Sequence, residues 1–199
     1  MAISLKILKY FSASGLLLSG LLCVPQVYSS EVDSLIETKV TSTEDHYVAE
    51  LSFEVMDANP GQIKELLTDY ANLSRIDPGI LQSRVLKEST NERVRVLVEA
   101  RDCVMFFCKT VTRVEEVHQP SKNVIVAETI PELSDFAEGT ATWVFRQTAT
   151  GTQVKYHATI RPDFWMPPII GSRITRNIIR KHLITTAEHI QQWDYKTVL

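Results

Sequence analysis

Pro167 to Trp193, PPIIGSRITRNIIRKHLITTAEHIQQW, is the stretch on which the fold turns. Unbroken, its roughly 27 residues would make about 40 Å of helix at about 1.5 Å per residue. Pro167 and Pro168 suit a helix entrance, where the first amides lack acceptors, and only Gly171 interrupts afterwards. The apolar residues form two rows, Ile170, Ile174 and Ile178, then Ile179, Leu183, Ala187 and Ile190. At about 100° per residue these rows point to nearly opposite sides. The C-terminal half is expected to lie on the body of the protein. The first half must bury its row in a cavity, a partner or a lipid surface, unless the helix bends.

Upstream, most of the chain reads as strand. Tyr47, Ala49, Leu51, Phe53 and Val55 alternate with polar neighbours after His46, the signature of a half-buried strand. Asn59 precedes Pro60, and Gln62 stands three residues later, as at a helix N-terminus with a cap and a returning amide. Ile63, Leu66, Leu67 and Tyr70 supply that helix's buried face; Leu73 to Ile76 suggests a short second helix, ended by a turn at Asp77-Pro78-Gly79. Further strands are expected over Leu81–Lys87, Arg93–Arg101, Phe107–Val117, Val124–Ile130, Gly139–Gln147 and Gln153–Arg161. In the second of these, Val94, Val96, Val98 and Ala100 share one face. Gln119–Asn123 and Thr148–Gly151 are short turns, so consecutive strands are antiparallel neighbours. One leading strand, a meander of six and a long final helix make an α+β domain.

The chain of 199 residues is one domain in size, and its apolar share of 44% supports a real core. A formal charge of −3 argues against nucleic acid as a partner. Residues 1–29 carry Lys6 and Lys9, no acid, an apolar run and small residues before a cut near Ser30, the layout of a secretory signal peptide. A retained anchor needs a longer apolar run, and a lipoprotein signal at Cys23 needs a small residue where Leu22 stands. Residues 30–45 lack a sustained period and read as a flexible lead-in to a domain over 46–195. Past the leader only Cys103 and Cys108 remain, and an even pair in an exported chain suggests a disulfide.

The element order, together with Tyr70-Ala71-Asn72-Leu73 leading to Asp77-Pro78, the Gly139-Thr140-Ala141-Thr142-Trp143 strand and Pro162 to Pro168 before the last helix, resembles the helix-grip fold of the START-like (SRPBCC) superfamily. That superfamily includes the polyketide cyclase/dehydrase and coenzyme Q-binding branches, and the resemblance covers about residues 46–195. It implies a curved, seven-stranded antiparallel sheet wrapped around the C-terminal helix, with an apolar cavity that takes a lipid, quinone, sterol or polyketide-like molecule. The alternative is a fully packed core. None of the quoted stretches is a catalytic signature.

Two segments suit the rim of such a cavity. In Cys103-Val104-Met105-Phe106-Phe107-Cys108 four apolar residues stand between cysteines where a tight hairpin would show Asn or Gly. A bridge there requires the chain to bulge or turn, and by loop entropy contributes roughly 2 kcal/mol. The tip either touches lipid or guards an entrance, or its Met105, Phe106 and Phe107 pack into the core. Phe164, Trp165 and Met166, with Ile169 and Ile170, form a second lip or an interfacial anchor. The expected cavity and rim residues are therefore Val104, Met105, Phe106, Phe107, Trp143, Tyr156, Phe164, Trp165, Met166, Ile170, Ile174 and Ile178. Arg173, Arg176 and Arg180 cluster on one side of the helix, either as an anionic-lipid contact or as a solvated face.

No cofactor or metal is expected: His182 and His189 are seven residues apart, and His46, His118 and His157 lie in separate strands without ligand spacing. Polar groups that would serve an enzyme are Glu128, Tyr156, His157, Asp135 and Glu138, and alternation does not tell which points inward. Three function classes follow. The first is an exported carrier of a hydrophobic small molecule or lipid, with peripheral membrane contact. The others are a cyclase or dehydratase and a protein-interaction module. Oligomeric state is not legible.

Overall fold

The computed structural model describes residues 35–87, 89–90, 92–104, 107–165 and 171–195, with Val104 and Phe107 by their backbone alone. The leader, Met105, Phe106, Met166, Ile169 and Ile170 lie outside the described residues. The chain runs β1 (Glu37–Thr43), β2 (His46–Met56), α1 (Pro60–Thr68), a 3-10 turn (Leu73–Arg75), β3 (Ile80–Val85), β4 (Arg93–Val104) and β5 (Phe107–Ser121). It continues through β6 (Val124–Thr129), a second 3-10 turn (Pro131–Leu133), β7 (Phe136–Gln147), β8 (Gly151–Pro162) and α2 (Ser172–Gln192). The strands form one curved antiparallel sheet in the order β1-β2-β8-β7-β6-β5-β4-β3, which grips α2.

Period-two burial decides which face of the sheet meets the helix. Tyr47, Ala49, Leu51, Phe53 and Val55 of β2 are buried, as are Val96 and Val98 of β4, Phe145 of β7 and Val154 and Ala158 of β8. On α2 the buried residues are Leu183, Ala187 and Ile190. Asn59 caps α1 as its spacing predicts: its Oδ1 accepts the Gly61 and Gln62 amides at 2.9 and 3.1 Å, and Gln62 Oε1 accepts the Asn59 amide at 3.0 Å. Among the described residues no helix is long and apolar enough to cross a membrane.

Three expectations are corrected. The lead-in is not wholly irregular: Glu37–Thr43 pairs with β2 from Glu37 opposite Ser52 to Thr43 opposite His46, so the sheet has eight strands rather than seven. Its burial alternates, but of the inward residues Thr38, Val40 and Ser42 only Val40 is apolar and buried, so the hydrophobic signal is missing and the strand is placed by backbone pairing through a tight turn with Glu44 at φ 55°. The final helix begins at Ser172, since the Gly171 N-cap is extended at ψ 175°, and it is nearer 31 Å than 40 Å long. The expected turn at Gln119–Asn123 shrinks, because β5 runs on to Ser121 and a register shift between His118 and Ser121 accommodates Pro120.

The cysteine segment is the β4–β5 hairpin. Cys103 stands opposite Cys108 and Val104 opposite Phe107, and the two cysteines are joined by a disulfide. The bridge therefore links facing strands across a turn, the condition the sequence required of it.

At the other end of the sheet, Gly151 lets β8 approach β2, where a Cβ would run into the backbone carbonyl of Val55. No flexible side chain is available to yield there. Gly151→Ala is expected to cost roughly 2 to 3 kcal/mol, measured by urea unfolding of the oxidised protein.

Candidate functional site

A hollow of about 410 Å³ lies between α2 and the inner face of the sheet. Its origin is a row of small side chains. Ala49 of β2 faces Ala158 of β8, Ala158 faces Ala141 of β7, and Ala141 faces Ala127 of β6, so four adjacent strands present methyl groups along one line. All four line the hollow, and Ala100 of β4 lines it farther along the sheet. Large residues above and below the row, among them Phe53 and Phe145, reach the core; the alanines do not fill the space opposite them.

The wall supplied by α2 is the seam between the two isoleucine rows. Thr175, Ile178, Ile179, His182, Leu183 and Thr186 face the hollow at spacings of three and four. Ile178 and Ile179 come from opposite rows and flank a middle made of Thr175, His182 and Thr186. The helix needs no bend to use both.

One side of this apolar space is polar. Arg113 and Glu115 are alternate residues of β5 and point the same way, with Arg113 Nε 3.1 Å from Glu115 Oε1. The charge of Glu115 raises the Arg113 pKa against the opposing effect of burial, so the guanidinium keeps its charge beside the carboxylate and the formal charges of the two cancel. Tyr156, stacked on its cross-strand neighbour Trp143 at 4.4 Å between centroids, and Tyr70, just past α1, complete the polar side. Burial pushes both phenols up to about 12; the Glu115 charge adds to it, and at Tyr156 the Arg113 charge opposes it. They are neutral donors at ordinary pH. Among the described residues neither hydroxyl has a hydrogen-bond partner.

The hollow extends toward both apolar tips. Asp102 and Lys109, next to the bridged cysteines, line it, as do Phe136, Pro162 and Phe164. Phe136 meets Phe164 edge-on at 6.1 Å, and Lys109 Nζ lies 4.9 Å from the Phe164 ring centre. On the helix side, His182 Nδ1 lies 2.9 and 3.0 Å from the two Asp77 carboxylate oxygens, and its Nε2 lies 2.8 Å from Asp102 Oδ2.

Of the rim and cavity residues expected from sequence, Trp143, Tyr156, Phe164 and Ile178 line the hollow. Ile174 is half-buried beside it, and Trp165 is 75% exposed outside. Val104 and Phe107 stand at the hairpin tip. Arg173 and Arg180 are exposed, whereas Arg176 Nη1 donates to Ser42 Oγ of β1 at 2.7 Å. Among the five polar candidates only Tyr156 faces inward. Glu128 pairs with Arg93 at 3.5 Å, Glu138 with Arg161 at 2.8 Å, Asp135 Oδ2 accepts the Thr112 amide at 2.7 Å, and His157 is exposed.

Sequence reasoning missed Arg113, Glu115, Tyr70 and the Asp77–His182–Asp102 cluster. A signal for the first two exists, since they share strand parity with Val111 and Val117. Val114, of the opposite parity, is also buried and blurs it. Removing one partner of this pair strands the other. Glu115→Leu is expected to cost roughly 3 kcal/mol in urea unfolding, and adding Arg113→Met is expected to restore most of it.

The sequence matches the profile of the polyketide cyclase / dehydrase and lipid transport family over residues 47–189. No curated protein matches the chain in sequence. Among solved structures, the fold is similar to that of TTHA0849 from Thermus thermophilus, with a TM-score of 0.57 and 21% identity over 74% of this chain and 94% of that one. It is also similar to a STAR-related lipid transfer protein from Xanthomonas axonopodis, with a TM-score of 0.55 and 15% identity over 79% and 99% of the chains. Human STARD10 gives a TM-score of 0.57 and 10% identity over 78% and 74%. At these identities the likeness is one of fold. The profile, which spans most of the chain and every wall of the hollow, places the protein in the polyketide cyclase / dehydrase and lipid transport family.

Proposed function

We propose that this protein is an exported carrier that holds one uncharged amphiphile in the hollow between α2 and the sheet. The observation that carries the reading is the alanine row: it leaves a largely apolar space of about 410 Å³ with Arg113, Glu115 and the two phenols grouped on one wall. A space of that size suits a single small lipid, quinone or polyketide-like molecule. The polar side favours a neutral head group. On that wall Arg113 and Glu115 already cancel, so a ligand carboxylate placed there would lose its hydration without a matching cation; Lys109 stands apart, at the hairpin end against the Phe164 ring. A hydroxyl or carbonyl, in contrast, finds donors in the two phenols and an acceptor in Glu115. The lipid transport half of the family description, and the lipid transfer protein among the structural neighbours, support the same reading.

Delivery belongs to the proposal as well. Exposed Trp165 precedes α2 in the chain and the exposed cations Arg173 and Arg180 lie in the first half of that helix, a combination of aromatic ring and cations that suits peripheral contact with an anionic membrane. Export rests on the layout of residues 1–29.

A cyclase or dehydratase would use the same hollow, with Glu115 as its acid or base. Among the described residues, however, Glu115 is paired with Arg113 and both His182 nitrogens are engaged by carboxylates, so no unengaged base converges on the space. Titration with hexadecanol, hexadecanoic acid and hexadecane tests the carrier reading. Hexadecanol is expected to bind most tightly, the acid at least about tenfold more weakly, and Ala141→Phe is expected to abolish binding while the protein stays folded. Failure of all three ligands to bind, with native mass spectrometry showing an empty protein, overturns it.

A further inference from the structure

We propose that His182 is a pH-operated latch that holds the N-terminal half of α2 across the opening of the hollow. The proposal rests on reading the hollow as a ligand site, and it concerns how that site opens.

One imidazole ties the helix to two separate parts of the rim. Nδ1 is 2.9 and 3.0 Å from the oxygens of Asp77, in the turn before β3, and Nε2 is 2.8 Å from Oδ2 of Asp102, at the end of β4 beside the disulfide. Carboxylates only accept, so both ring nitrogens must carry hydrogen to satisfy both contacts, and the bound form is the imidazolium. Loss of one proton leaves a lone pair facing a carboxylate. The latch then holds one anchor instead of two.

The surroundings are built for the ring. The Gly79 amide donates to Asp77 Oδ1 at 2.8 Å, and a Cβ on Gly79 would fall 2.5 Å from His182 Cε1. The Cys103 amide donates to Asp102 Oδ1 at 2.8 Å. The fully buried side chains of α2 begin only at Leu183, and before it Ile174, Ile178 and Ile179 are half-buried. Upstream, Arg176 with Ser42 is a second polar tie, at 2.7 Å. A half-helix with two polar ties and no fully buried side chain is the part of α2 that opens at least cost.

The charged groups around the ring are Asp77 and His189 near the turn, Asp102 and Arg101 on β4, Lys109 and Arg113 on β5, and Lys181 on α2, whose Nζ lies 3.8 Å from Asp102 Oδ1. The Asp77 hydrogen bond leads in raising the His182 pKa, burial opposes it, and the charges of Asp77 and Asp102 add to the rise. A histidine raised above its usual value of about 6.5 stabilises the closed form fully below that pH, and the contribution disappears as pH rises through the folded value. Acidic conditions therefore hold the hollow shut, and rising pH loosens it.

The test combines release of N-phenyl-1-naphthylamine by stopped flow between pH 5.5 and 9 with amide deuterium exchange over residues 172–182, each compared with His182→Gln at the same pH. In the unaltered protein, release is expected to accelerate about tenfold across the range, and the excess protection over His182→Gln is expected to vanish at the alkaline end. His182→Gln should release quickly at every pH. Asp102→Asn, which removes one carboxylate, should move the midpoint to lower pH, and it serves in place of His182→Gln if that variant does not fold. The same pH profile in variant and unaltered protein, or protection over 172–182 that never exceeds the variant's, overturns the latch. If the probe does not bind at all, the carrier reading fails, and the exchange comparison still decides the latch.

Discussion

Four alanines that meet in register across β2, β8, β7 and β6 keep the inner face of the sheet from reaching α2, and the other features of the site depend on that gap. An antiparallel sheet with bulky residues throughout this face would close on the helix, as it does where Phe53 and Phe145 stand. Interiors are otherwise packed as densely as organic crystals. A lined space of about 410 Å³ therefore requires a specific cause, and the cause is the coincidence of small residues on four strands whose register is fixed by their turns.

The gap makes the polar residues inside it consequential. Arg113 and Glu115 would be ordinary on a wet surface, but beside a low-dielectric space their mutual compensation sets the character of the whole wall. With the pair neutral and the two phenols kept protonated by burial, the wall offers hydrogen bonds without net charge. The same logic operates at the opening. There the Asp77–His182–Asp102 contact keeps the polar middle of the helix seam satisfied, and Phe136 and Phe164 supply the apolar part of the rim.

Much of the fold was readable along the chain because it is built from local rules. Alternation marked β2 and β4, the Asn59–Gln62 spacing marked the start of α1, and short turns marked the meander. The edge strand Glu37–Thr43 escaped notice because backbone pairing, not side-chain burial, holds it. The helix start was misplaced because Gly171 adopts the extended conformation of an N-cap, a choice the local sequence leaves open. For the site, Trp143, Tyr156, Phe164 and Ile178 were identified as large apolar or amphipathic residues on the relevant elements. Ala49, Ala127, Ala141 and Ala158 were passed over, since an alanine carries no signal until its neighbours across the sheet are known.

The amino-acid sequence by itself determined the α+β class, the element order from β2 onward, the expectation of a Cys103–Cys108 bridge, and the two differently directed apolar rows on the final helix. These follow from hydrophobic period, turn chemistry and covalent reach, which act over a few residues. Only the tertiary structure decided that both rows serve at once, flanking a seam centred on His182, and that alanines from four strands align opposite it. The physical reason is register: which side chains face one another across strands and across the helix is set by the closure of the whole sheet, and no interval along the chain encodes it.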